Sequence, residues 1–269
     1  MRLGTVKRAG ATQAFRQDDN GTHYYNLPDI GALLNTENWQ ELATVPGPEP
    51  KNEELTLPIL RPGKILCIGL NYTDHALEVG KTAPEIPTIF SKVASSMIGP
   101  YDNISYPELS SEIDWEAELV IVIGKTIKNA DDESAGEAIL GYTVMNDVSM
   151  RDWQRRTSEW FQGKNFDAIS PLGPVIVSAD AVDPIQGLSV ETFVNGEMKQ
   201  SGNTKDMIFN PIEVVKYLSQ FLTLEPGDVI ATGTPAGVGA GRKPKEFMNK
   251  GDVLVTRIEG IGELVNTLS

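Results

Sequence analysis

The chain has 269 residues, 40% of them in the hydrophobic set AVILMFWYC and 22% charged, which is enough for a substantial core and excludes wholesale disorder. Its formal net charge of -14 argues against a nucleic-acid partner or an anionic membrane surface, since both need clustered Lys and Arg; a small anionic substrate remains compatible through a bound cation and a few placed arginines. The single cysteine, Cys67, precludes an intrachain disulfide, and no apolar stretch has the length of a signal peptide or membrane span, so a soluble cytoplasmic protein is expected.

Residues 1–44 predict a short strand, a turn at Asp18-Asp19-Asn20-Gly21, a second strand at 23–26 and helix-like stretches at 29–34 and 37–43. The stretch from Val45 to Lys51 holds three prolines and a glycine, which reads as a linker or extended crossing segment. A boundary near residue 60 then separates a small N-terminal domain, 1–60, from a main domain, 61–269. From Arg61 on, short β-branched runs recur at 64–68, 88–91, 118–123, 141–145, 174–177, 189–194, 228–232 and 253–258. The best helix spans 211–222, with Pro in its first turn and Val214, Val215, Leu218, Phe221 and Leu222 on one face. Many strands, few helices and no regular alternation predict an α+β, predominantly β architecture: a mixed β-sandwich or roll.

The chemistry begins at residues 71–80, which read as a short helix capped by Thr73 or Asp74 and stopped by Gly80. His75 and Glu78 fall three apart on one face, where a carboxylate can fix the imidazole tautomer and raise its basicity for general-base work. A solvated surface pair is the plainer alternative. The most distinct strand, Leu119 to Ile123, reads as buried on both faces, and Glu116 and Glu118 at its mouth project to one side about 6–7 Å apart. The run 139–147 ends on a third carboxylate, Asp147. Three carboxylates without a nearby Cys or His pair describe a hard-cation site for Mg²⁺ or Mn²⁺, with positions left for water and a chelating substrate.

Further along, Arg151, Arg155 and Arg156 could clamp a distal carboxylate, Gln154 could hydrogen-bond an oxyanion, and Lys164 could place positive charge over a developing enolate. The loop Thr232-Gly233-Thr234-Pro235-Ala236-Gly237-Val238-Gly239-Ala240-Gly241 lacks the P-loop and dinucleotide spacings but can turn backbone N–H groups inward as an anion-binding nest, with Gly233 a candidate substrate contact; a flexible connection is the alternative.

Taken together these segments resemble the fumarylacetoacetate hydrolase superfamily. The shared features are Gly69-Leu70-Asn71-Tyr72 with His75 and Glu78, Ile89-Phe90-Ser91-Lys92, 114–124, 146–152, 164–167 with Pro171-Leu172-Gly173-Pro174, Val194-Asn195-Gly196-Glu197 and 232–239, in order over about residues 61–269. The resemblance implies a β-rich roll, Mg²⁺ or Mn²⁺ on Glu116, Glu118 and Asp147, a His75-Glu78 dyad on a lid, and Lys164, Gln154 and Thr234 around the reacting oxygens. It also implies a homodimer. No carboxylate stands in Ile68-Gly69-Leu70-Asn71, so the chain is closer to the three-carboxylate bacterial branch than to the tyrosine-degrading one. The expected reaction is hydrolysis of a 2,4-dioxo acid, an acylpyruvate such as fumarylpyruvate in aromatic catabolism, with His75 activating water and pyruvate enolate held by the metal and Lys164. Decarboxylation of oxaloacetate and isomerisation of 2-hydroxyhepta-2,4-diene-1,7-dioate are alternatives, and a non-catalytic metal and 2-keto-acid-binding protein is the alternative class.

Overall fold

The computed structural model describes residues 1–269. The chain opens with a meander of β1 (Arg2–Arg8), β2 (Ala11–Asp18) and β3 (Gly21–Tyr25). The β2–β3 turn falls where the sequence places it, with the Asn20 N–H donating to Asp18 Oδ1 and Gly21 at φ +100°. Helix α1 (Ile30–Leu34), capped by Asp29, and the edge strand β4 (Thr44–Gly47) follow. Next come β5 (Ile65–Gly69), α2 (Thr73–Glu78), β6 (Thr88–Ser91), β7 (Met97–Ile98), β8 (Ile113–Asp114) and β9 (Ala117–Ile123). The middle of the chain contributes α3 (Asp132–Ala138), β10 (Ile139–Asn146), β11 (Ser149–Met150), α4 (Arg151–Gln154), α5 (Phe161–Lys164) and β12 (Ser170–Ser178). It ends with β13 (Ser189–Val194), β14 (Glu197–Asn203), α6 (Pro211–Ser219), β15 (Val229–Ala231), β16 (Val253–Ile258) and β17 (Gly262–Thr267).

One large mixed sheet runs β4-β3-β2-β1-β12-β10-β9-β15-β5-β6, with β7 added to β12, and a second sheet runs β14-β13-β16-β17. This is the expected α+β, predominantly β roll. β9 is buried on both faces: Leu119, Ile121 and Ile123 enter one core cluster while Val120 and Val122 enter the other. Residues 1–60 join this sheet directly, because β1 pairs antiparallel with β12 at Arg2 and Val177.

Four local expectations differ from what forms. The proline-rich stretch, expected as a linker or extended crossing segment, begins as the paired strand β4, which Pro46 tolerates because β4 lies at the sheet edge. Residues 37–43 give only one 3₁₀ turn at Trp39–Glu41. Helix α2 starts after Tyr72 without a side-chain cap; Asp74 Oδ1 accepts the N–H of His75 instead. Helix α6 ends at Ser219, its start fixed by Asn210, which accepts from the Ile212 and Glu213 N–H groups. No helix is long and apolar enough to cross a membrane.

Candidate active site

The β9–β10 register brings the three carboxylates together. Glu118 faces Met145 and Ala117 faces Asn146, so one residue further Asp147 stands opposite Glu116, and its N–H donates to the Glu116 carbonyl at 2.8 Å. Glu116, Glu118 and Asp147 are 5%, 2% and 0% exposed, and one ligand oxygen from each lies within 4.8 Å of the others. Buried anions at this spacing need cations or strong donors.

Lys164 Nζ donates to Glu116 Oε2 at 2.6 Å and to Asp147 Oδ2 at 2.7 Å. Arg151 Nε donates to Asp114 Oδ2 at 2.8 Å, and its Nη2 lies 2.6 Å from Glu116 Oε1 as an ion pair without a well-aligned hydrogen bond. Lys92 Nζ donates to Asp147 Oδ1 at 2.8 Å and to the Lys164 carbonyl. Glu118 has no lysine or arginine ion-pair partner, its Oε2 accepting the Gly233 N–H at 2.8 Å.

Charge states follow from these partners. Burial, reinforced by Asp147 and Glu116, pushes the Glu118 carboxyl well above the usual range. Burial also pushes Glu116 up, but the Lys164 and Arg151 charges outweigh it and hold the group below its ordinary value. For Lys164, burial works against the ammonium while Asp147 and Glu116 hold it charged. A hard divalent cation fits this donor set: all-oxygen ligands converge, and Glu118 is the carboxylate such an ion would relieve.

The cluster opens on a cavity of about 650 Å³ that is also lined by His75, Glu78, Arg151, Gln154, Arg155 and Thr234, with Phe90 and Trp160 as its aromatic wall. A hollow of about 800 Å³ between α1 and the 225–228 turn lacks both the cluster and an imidazole. His75 Nδ1 lies 2.9 Å from Glu78 Oε1, and the Glu78 carboxylate accepts the Gly237 N–H at 2.9 Å. An ionised carboxylate only accepts, so Nδ1 carries the proton and Nε2 is left as the base. Thr234 Oγ1 accepts from Gln200 Nε2 at 2.8 Å, which leaves its own hydrogen free to donate.

Several of the expected site residues have partners within the chain. Arg151 lines the cavity and at the same time holds Asp114, Glu116 and Gln154 Oε1, so it organises carboxylates of the chain itself. Arg155 is half exposed and ion-paired with Glu112, and Arg156 stacks over Trp153 at 3.5 Å. Gly233 does not line the cavity, and its N–H is held by Glu118. The glycine loop is an anion nest, but its anions are the chain's own: Gly237 serves Glu78, while Gly239 and Ala240 serve Asp114. Lys92, Asp114 and Gln200 were not singled out by sequence reasoning. Gln200 Oε1 accepts from Ala117 N–H and Thr192 Oγ1, which fixes its amide toward Thr234. Lys92 and Asp114 carried only membership of shared segments, with no role attached, and Gln200 carried no signal.

The family model described as "Fumarylacetoacetate (FAA) hydrolase C-terminal" matches residues 64–269. The human mitochondrial protein named oxaloacetate tautomerase FAHD2A is 47% identical over 220 residues, covering 81% of this chain and 70% of that one. The solved fumarylacetoacetate hydrolase of Exiguobacterium antarcticum superposes with a TM-score of 0.87 at 35% identity, covering 100% of this chain and 99% of that one. The 2-hydroxyhepta-2,4-diene-1,7-dioate isomerase of Mycobacterium marinum gives a TM-score of 0.77 at 34% identity, covering 100% and 98%.

Proposed function

The chain belongs to the fumarylacetoacetate hydrolase family, and from that premise we propose that it interconverts the enol and keto forms of a 2-oxo dicarboxylic acid, oxaloacetate first, in a divalent-metal-dependent reaction. The observation that carries this reading is one cavity lined by the His75-Glu78 dyad, Glu116, Glu118 and Lys164, with Asp147 buried directly behind them in the same carboxylate cluster. Glu116, Glu118 and Asp147 would hold Mg²⁺ or Mn²⁺. Such an ion supplies Lewis-acid polarisation of the substrate's oxygens.

The residues supply the proton path. His75 Nε2 takes a proton from carbon 3 of the keto form, and Glu78 stabilises the imidazolium that results. Lys164, Thr234 and Gln154 face the same space, where an ammonium and a hydroxyl can donate to the oxygen that gains charge. The proton lost from carbon is matched by one gained on oxygen, and the reverse passage returns it. Phe90 and Trp160, packed edge to face at 5.4 Å, wall off one side from water.

A second reading, hydrolysis of 2,4-dioxo acids, is supported by the same dyad, because a base able to take a carbon-bound proton can take one from water, and by the solved relative named a hydrolase. The relatives named tautomerase and isomerase weigh toward proton transfer. Mass analysis separates the readings: oxaloacetate and acetylpyruvate are incubated with protein and Mn²⁺. Unchanged mass with accelerated enol loss is expected for oxaloacetate. An acid plus pyruvate from acetylpyruvate, with no effect on oxaloacetate, would transfer the assignment to hydrolysis.

A further inference from the structure

We propose that Lys92 is a positioning residue that keeps Asp147 a one-oxygen ligand; this rests on reading Glu116, Glu118 and Asp147 as the metal ligands. Lys92 follows β6 directly, and its N–H continues the ladder to the Ile65 carbonyl, so its backbone is fixed. Its side chain is fully buried and does not line the cavity. From behind the cluster it holds Asp147 Oδ1 and the Lys164 carbonyl at the end of α5, a carbonyl with no helical partner.

The same pattern recurs at each ligand. Arg151 pairs with Glu116 Oε1, the Gly233 N–H holds Glu118 Oε2, and Lys92 holds Asp147 Oδ1. One oxygen per carboxylate escapes these three groups: Glu116 Oε2, Glu118 Oε1 and Asp147 Oδ2, the first and last of which accept from Lys164 Nζ. Lys164, which does line the cavity, touches two of these and stays on the substrate side of the cluster. A set of three single oxygens leaves half of an octahedral shell for water and substrate. Were Lys92 removed, Asp147 would free Oδ1 as a second ligand oxygen and keep only Lys164 as its cation. The ion would then be held more tightly, with a substrate position lost.

The test titrates the full-length protein with Mn²⁺ alone, reading free ion by paramagnetic resonance and bound-water number by proton relaxation. Lys92→Met is the first variant; Lys92→Gln keeps a polar group and serves if the methionine variant does not fold. Mn²⁺ binding about tenfold tighter than in the parent is expected in both, because a positive charge is withdrawn from beside the ion. The relaxation enhancement per bound ion should fall by about a third, as one of three open positions closes. Parental affinity and relaxation in both variants would overturn the proposal, as would weaker binding in step with a lower Tm, the mark of a lysine that only props the fold. A parent that binds no Mn²⁺ would overturn the metal reading itself, a result distinct from either.

Discussion

Arg151→Met should destabilise the protein through the buried charge cluster. The guanidinium stands 2.8 Å from Asp114 and 2.6 Å from Glu116, with all three side chains 7% exposed or less. Each contact is worth about 6 kcal/mol of gross Coulomb energy at an effective dielectric near 20, most of which offsets desolvation. Removing one partner and stranding the other typically costs about 3–5 kcal/mol. Asp114 keeps N–H groups from Gly239, Ala240 and Trp115, which places the cost near the lower end. At about 2–4 °C per kcal/mol for a chain of this size, about 3 kcal/mol lowers Tm by roughly 6–12 °C. Calorimetry of parent and variant in chelator reads this directly. Saturating Mn²⁺ should narrow the gap, because the ion adds positive charge beside Glu116, which the variant leaves with Lys164 alone. A Tm within about 2 °C of the parent would refute the view that this cluster depends on Arg151.

Three further outcomes follow from named contacts. Glu78→Gln should keep Mn²⁺ affinity, read by titration, and lower kcat by about 10²-fold or more in steady-state assays, since a neutral amide does not stabilise an imidazolium. Gly237→Ala should lower both Tm and kcat, because the residue sits at φ +105°, its Cβ would lie 2.4 Å from the Lys199 carbonyl, and its N–H holds Glu78. Chelator should lower Tm, and Mg²⁺ or Mn²⁺ at about 100 times its Kd should restore about 2.7 kcal/mol by linkage; the readout is melting at graded ion concentrations.

The parts of the site legible in the sequence were those set by local geometry. The apolar run at Leu119–Ile123 marked β9, and strand ends delivering Glu116, Glu118 and Asp147 marked the cluster. The three-residue spacing of His75 and Glu78 became a real 2.9 Å contact because α2 is one helical segment. What could not be read were pairings over long separations. Lys92 meets Asp147 across 55 residues, and the Gly233 and Gly237 N–H groups meet Glu118 and Glu78 across 115 and 159. Spacing gave the glycine loop its anion-binding character, but only the closed sheet shows that the anions belong to the chain. The same limit hid the pairing of β1 with β12, since the hydrophobic pattern of a strand does not name its neighbour.

The most direct test follows enol-oxaloacetate converting to keto-oxaloacetate by ultraviolet absorbance, in D₂O with deuterium at carbon 3 read by NMR, for the parent, His75→Ala and Glu116→Ala. The parent with Mn²⁺ should accelerate conversion and label carbon 3. His75→Ala should keep Mn²⁺ binding and lose the acceleration, whereas Glu116→Ala should lose both. Parental rates from His75→Ala, or no acceleration over buffer by the parent, would contradict proton transfer by this dyad.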